Sequence, residues 1–135
     1  MNWKLIFQLS LFGLAMAIAT VYWIPSNLEP VFWLVIAILC AYLIARNCTQ
    51  KYFLHGFLVS LVNCVWITAI HVLLFSSYIV NHPKEADMME KMPLPEHPRV
   101  MMLIIGPIVG IISGLIFGLF AFIASKIWKN RLTQA

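Results

Sequence analysis

Four long stretches without Asp, Glu, Lys or Arg constrain this chain more than any other feature of its sequence. They cover residues 5–24, 31–45, 52–80 and 100–125. A transmembrane helix needs about 20 predominantly apolar residues. The second stretch is short, but it extends to 30–46 if its helix begins at Pro30, which suits a first turn, and if Arg46 snorkels past the other end. Each stretch therefore predicts one membrane span.

The composition excludes a soluble fold. Of 135 residues, 62% are apolar and 10% are charged, against about 25% charged in typical soluble domains. A bilayer solvates apolar side chains, while each helix satisfies its own backbone hydrogen bonds. We therefore predict an all-α, multi-pass membrane protein in which residues 1–135 form a single domain, an antiparallel four-helix transmembrane bundle with spans at about 5–24, 30–46, 52–80 and 100–125 and an outward loop at 81–99.

Flanking charges predict the orientation, because arginine and lysine are retained on the cytoplasmic side. Lys4 precedes the first span, Arg46 and Lys51 separate the second from the third, and the fourth is followed by Lys126, Lys129 and Arg131. The loop 81–99 holds three basic and four acidic residues. We expect both termini in the cytoplasm. An Ala-Ile-Ala motif at 17–19 resembles a signal-peptide cleavage site, but the apolar run continues through Ile24 and favours a retained helix.

Glycines recur at every fourth position of the fourth span. This glycine-zipper pattern consists of Gly106, Gly110, Gly114 and Gly118. Helices in lipid associate through close backbone approach, which small residues at this spacing permit. The pattern predicts tight packing inside the monomer, with a homodimer seam as the alternative. Pro107 interrupts the same helix and frees the carbonyl of Leu103.

Polar side chains form a stripe on the third span. On a helix at 100° per residue, Ser60, Asn63, His71 and Tyr78 share one face. His71 is the ionisable group within the spans, and such groups are costly in hydrocarbon unless they have a partner. We predict a hydrogen bond from a neutral His71 to either the Thr20 hydroxyl or the freed Leu103 carbonyl. The functional alternative is a proton-accepting or ligand-binding His71 in a small pocket with Asn63.

The outward loop is rich in methionine. Five of the seven methionines lie between Met88 and Met102, and Pro83 fits the first turn of a short helix. Thioethers and imidazoles are ligands that Cu(I) accepts. One hypothesis is therefore a Cu(I) site formed by His82, Met88, Met89, Met92 and His97. Methionine is equally suited to an interfacial apolar face, and the default expectation is no metal and no cofactor.

The layout resembles small, uncharacterised four-span bacterial membrane proteins. The resemblance covers the chain loosely and is carried by Lys-Tyr-Phe-Leu-His-Gly-Phe at Lys51 to Phe57 and by a glycine-rich last span ending Ala-Ser-Lys at Ala124 to Lys126. It implies a bacterial cytoplasmic (inner) membrane location.

The function expected from the sequence is that of a non-enzymatic membrane component. Cys40, Cys48 and Cys64 form no CxxC pair, and no paired catalytic groups can be read in the spans. We expect the chain to act through helix contacts in the lipid bilayer, as a homo-oligomer or with another membrane protein, and not on nucleic acid. The alternative is a small transporter or channel with a polar pathway lined by His71.

Overall fold

The computed structural model describes the backbone of residues 1–134 and the side chains of residues 1–128. Over this range the chain forms six helices and no strand, which confirms the all-α prediction. The helices are α1 (Trp3–Tyr22), α2 (Glu29–Asn47), α3 (Tyr52–Leu73), α4 (Phe75–Asn81), α5 (Pro83–Glu90) and α6 (Pro98–Gln134). Four of them, α1, α2, α3 and the part of α6 up to Trp128, are long and apolar enough to cross a membrane.

The helix starts follow from local sequence. The side chain of Asn2 caps α1 by accepting a hydrogen bond from the backbone of Leu5 at 3.1 Å, as asparagine commonly does at this position. Proline lies in the first turn of both α2 and α5, where its missing N–H costs nothing. The short helix predicted to begin at Pro83 is therefore confirmed.

The third predicted span consists of two helices. Leu74, with φ −100° and ψ 31°, separates α3 from α4, whereas the sequence predicts one window over 52–80. Beyond the break, the Tyr78 ring stacks on the His71 ring with centroids 4.2 Å apart. Residues seven apart on a continuous helix are separated by about 10.5 Å of rise, so this stacking needs the change of direction at Leu74.

The helices follow a different order in space from that in sequence. α3 is central, with α1 packed on one side and α6 on the other, and α2 packs mainly on α6. α1 and α2 are joined by a short connection but contact each other little, and α2 also contacts little of α3. Because α2 stands away from α3, the bundle has room for a cleft between them.

The bundle is closed at the end where α1 and α3 begin and α2 finishes. Asn2 at the start of α1 donates its backbone N–H to His55 Nε2 at 3.0 Å, which joins α1 to the start of α3. Burial raises the pKa of the Cys48 thiol here, and the Met1 ammonium opposes that shift. The core of this closed end comprises Ile6, Leu9, Ala37, Cys40, Ala41, Ile44, Cys48, Val59, Phe117 and Ala121.

The glycines of α6 face α3. A Cβ added at Gly110 would lie 2.7 Å from the Cβ of Cys64, and one added at Gly106 would collide with the Thr68 hydroxyl. A Cβ at Gly114 or Gly118 would meet a phenylalanine ring of α3 at 2.8 Å. Numbers rise along α6 as they fall along α3, so these two helices run in opposite directions.

Two hydrogen bonds accompany this close approach. The Cys64 thiol donates to the Gly106 carbonyl at 2.8 Å, and the Ser60 hydroxyl donates to the Gly110 carbonyl at 3.4 Å. Side chains of α3 thus reach carbonyls of α6 directly, because glycine leaves the α6 backbone uncovered. In this chain the glycine face is used between two helices of one molecule.

Candidate functional site

A cleft of about 680 Å³ lies between α2, α3 and α6, at the end of the bundle opposite the closed core. Its walls are mostly apolar, and α5 borders its mouth. Five of the seven methionines contribute to the lining: Met88, Met89, Met92, Met101 and Met102. A large, mostly apolar concavity with a few convergent polar groups is the usual form of a small-molecule site.

The polar stripe predicted on the third span lines one wall of this cleft. Ser60, Asn63, His71 and Tyr78 all border it, and all four are buried. Ser60 and Asn63 lie deep, while Tyr78 lies near the mouth beside α5. Along α3, His71 and Asn63 are eight residues apart, about 12 Å by helical rise. The structure therefore brings the stripe together as one continuous surface.

Asn63 is the polar group of this surface that lacks a protein partner. Its side chain is 2% exposed, and neither its Nδ2 nor its Oδ1 forms a hydrogen bond with any residue whose side chain is described. Behind it lies Gly13 of α1, where an added Cβ would be 2.7 Å from the Asn63 Cβ. An unpaired buried polar group costs about 1–3 kcal/mol. A Cβ at Gly13 would also collide with Asn63 Oδ1, so the amide is packed against α1 and neither of its polar atoms is accessible from the cleft.

His71 is held by α1. The Thr20 hydroxyl donates to the Ala17 carbonyl at 3.1 Å, so its oxygen accepts from His71 Nε2, 2.9 Å away. This confirms the Thr20 alternative of the sequence-based prediction. The tautomer with hydrogen on Nε2 leaves the lone pair on Nδ1. His71 thus has a structural partner and still lines the cleft.

Three rings are stacked behind the mouth. His71 stacks on Tyr78, and Tyr78 stacks on His82 at 4.3 Å between centroids. His82 is fully buried. Its Nδ1 donates to the Tyr78 carbonyl at 3.0 Å, and its Nε2 has no partner among the described side chains. The stack fixes α4 against the end of α3 and supports the cleft wall from behind.

Two carboxylates border the mouth. Glu29, at the start of α2, accepts from the Trp33 indole N–H at 3.3 Å. Glu85, in α5, accepts from the Ser26 hydroxyl at 2.9 Å. Both line the cleft together with Tyr78, so their negative charge lies around the same opening. Among residues with described side chains, neither carboxylate forms an ion pair with a lysine or arginine.

The candidate copper ligands are divided between different surroundings. Met88, Met89 and Met92 line the cleft, whereas neither His82 nor His97 does. His82 belongs to the buried ring stack, and His97 is exposed. Within the described part of the chain, no three His, Cys, Asp or Glu side chains form a group able to hold a metal ion. The Cu(I) hypothesis stays a prediction. Met88, Met89 and Met92 also contribute apolar surface to the cleft.

Several cleft residues were not identified from the sequence. Cys64, Thr68 and Ser113 line it, as do the two mouth carboxylates. Cys64 and Thr68 follow Ser60 at four-residue spacing, so helical periodicity could have added them to the stripe. Glu29 and Glu85 belong to separate connections, and only the folded chain shows that they meet. His55, at the start of α3, is 3% exposed and accepts the backbone N–H of Asn2.

Comparisons of this chain with protein-family models, with curated proteins and with solved structures each found no match. The class of protein therefore follows from the helices themselves, which suggest a multi-pass membrane protein.

Proposed function

We propose that this chain is a non-enzymatic integral protein of the bacterial cytoplasmic membrane that binds a small lipophilic molecule in the cleft between α2, α3 and α6. The observation that carries the proposal is the cleft of about 680 Å³ itself, whose mostly apolar wall holds a few convergent polar side chains, among them Ser60, His71 and Ser113. A concavity of this size and composition suits a bound lipophilic molecule.

The proposed orientation places both termini in the cytoplasm and the mouth of the cleft on the outer side. Its support is the distribution of basic residues around the four candidate spans of an antiparallel bundle. Lys129 and Arg131 lie outside the described side chains and contribute only through the sequence. Reporter fusions to the two termini should both report a cytoplasmic location, and an external location for either one would reject this orientation.

Function through helix contacts is the main competing hypothesis. The glycine face, which is the surface best suited to a close helix contact, is used between α3 and α6 of one molecule. This favours ligand binding over a homodimer joined through those glycines. Association with a second copy or another membrane protein through a different face stays a prediction.

A small transporter is the second candidate. The cleft extends from the mouth to Phe117, which also belongs to the closed-end core. A cleft open toward one end and closed at the other is the geometry of one state of an alternating-access carrier. Flux of the bound molecule into proteoliposomes would favour this candidate, and binding without flux would favour a simple receptor or carrier role.

Co-purification tests the proposed function without assuming a ligand. Wild type should retain a lipophilic compound that extraction and mass spectrometry detect at near-stoichiometric amounts. Ser113→Phe, which places a ring inside the cleft, should lose that compound. Val35→Phe is the matched control, because Val35 is 59% exposed on the outer surface of α2 and does not line the cleft. Identical extracts from all three proteins would reject the proposal.

A further inference from the structure

The charges around the mouth of the cleft have one sign. Glu29 and Glu85 line the cleft and are half-buried. The basic residues of the neighbouring segment are directed elsewhere: Lys84 and Lys91 are exposed and do not line the cleft. Arg99 lies over the Phe75 ring, 5.4 Å from its centroid. Partly buried carboxylates without a cationic partner favour a positively charged occupant, because an opposite charge nearby compensates their lost hydration.

Other groups at the mouth also suit an organic cation. Trp33 and Tyr78 border the cleft beside the carboxylates, and the faces of aromatic rings attract cations. The methionines of α5 and α6 provide flexible, polarizable surface that adapts to an apolar body. A hydrated metal ion would not use that apolar surface, and an anion would be repelled by both carboxylates.

The cleft continues below the mouth between α2, α3 and α6, where its lining is mostly apolar and includes Ile67, Val109 and Phe117. An amphipathic molecule could place a cationic group at the mouth and an apolar body along this lining.

From this arrangement we infer that the occupant is an amphipathic organic cation whose positive group is held by Glu29 and Glu85 and whose apolar body lies along the methionine-rich lining of the cleft. The inference rests on the proposed function, because it names the chemical class of the ligand for the same cleft. The unpaired carboxylates at the mouth and the apolar lining below it are independent observations that support the two parts of this molecule.

Calorimetric titration with a pair of ions of similar shape and opposite charge tests the charge preference. Tetraphenylphosphonium and tetraphenylborate would each be titrated into the full chain in phosphatidylcholine nanodiscs, with empty nanodiscs as the blank. We expect saturable binding of the phosphonium and none of the borate. Glu29→Gln together with Glu85→Gln should weaken phosphonium binding at least about tenfold, the loss expected for a close charge contact.

The control variant is Glu90→Gln, because Glu90 is exposed on α5 and does not line the cleft. It should bind the phosphonium as wild type does. Circular dichroism and gel filtration would show that each variant is folded. Equal binding of both ions, binding of neither, or an unchanged affinity in the double variant would each overturn the cationic inference.

Failure of this inference and failure of the proposed function are distinguishable. The co-purification experiment uses neither ion. A compound retained by wild type and lost in Ser113→Phe would uphold a binding cleft even if the phosphonium does not bind. In that case the identity of the compound would replace the cation assigned here.

Discussion

Two asparagines of this chain have opposite surroundings. Asn81 donates through Nδ2 to the Val21 carbonyl at 2.7 Å and to the Ser77 carbonyl at 3.0 Å, which ties α4 to the end of α1. Asn63 has no protein partner for either side-chain atom among the described residues. The same residue type therefore stabilises the fold at one position and costs free energy at the other.

Replacement by leucine should have opposite effects at these two positions. Asn63→Leu keeps the side-chain size and removes two unpaired groups, so we expect the free energy of unfolding to rise by about 1–3 kcal/mol. Asn81→Leu removes two hydrogen bonds and should lower it by about 1–2 kcal/mol. Unfolding by SDS in dodecylmaltoside micelles, without added ligand, measures both. A marked loss of stability in Asn63→Leu would show that the amide is satisfied in the protein.

At the residue scale, the sequence predicted the polar stripe and one partner of His71. Helical periodicity suffices to place Ser60, Asn63 and His71 on one face, and helical rise suffices to place Thr20 at the depth of His71. Periodicity does not tell whether that face meets protein or empty space. Asn63 packs against Gly13 of α1, where no described side chain pairs with its amide, and this neighbourhood is a property of the whole bundle that local pattern does not contain.

At the scale of elements, the α3–α6 contact is the most extensive in the molecule. The glycines of α6 let the two backbones approach until Cys64 and Ser60 of α3 reach carbonyls of α6. Packing without gaps makes such a contact sensitive to any added atom. This contact forms the floor of the cleft and holds the polar stripe in position.

A larger side chain at Gly110 should disrupt this contact. Even one added carbon would lie 2.7 Å from the Cys64 Cβ, so Gly110→Leu should lower the free energy of unfolding by about 1–3 kcal/mol through overpacking. SDS unfolding measures the change. Ile111→Leu, on the neighbouring outer face where Ile111 is 50% exposed, should have little effect. Equal stability of the two variants would mean that α3 and α6 do not meet through Gly110.

The sequence predicted the helices better than their interruptions. Length and hydropathy are enough to locate four apolar helices, and Pro83 is enough to start α5. No glycine or proline marks the break at Leu74 in the sequence. Leu74 lies within a continuous apolar run, so a local pattern predicts an unbroken helix there. Its cause is tertiary: stacking of Tyr78 on His71 and the bonds of Asn81 to α1 hold α4 in a new direction.

At the scale of the whole molecule, the lateral order of the helices creates the cleft. α3 lies between α1 and α6, and α2 rests mainly on α6, although α2 follows α1 in sequence. One end is filled by small and branched side chains, and the other stays open between α2 and α3. Apolar windows cannot specify this order, because every span presents an equally apolar surface to lipid. The glycines indicated a close contact for α6 but not its partner.

The charges and apolar surface of the cleft are brought together only at this scale. Glu29 begins α2 and Glu85 lies in α5, 56 positions further along the chain. Folding places both at one mouth, with Met88, Met89 and Met92 beside them. The segment 81–99, for which the sequence suggests a copper site, thus borders the mouth of an apolar cleft.

A crystal structure grown from a lipid phase, with no ligand added, would test the binding cleft most directly. The account predicts α2 separated from α3, an open cleft of the size described, and electron density for an amphipathic molecule that extends from the mouth carboxylates along the apolar lining. A structure in which α2 closes against α3 and leaves no cleft would contradict it.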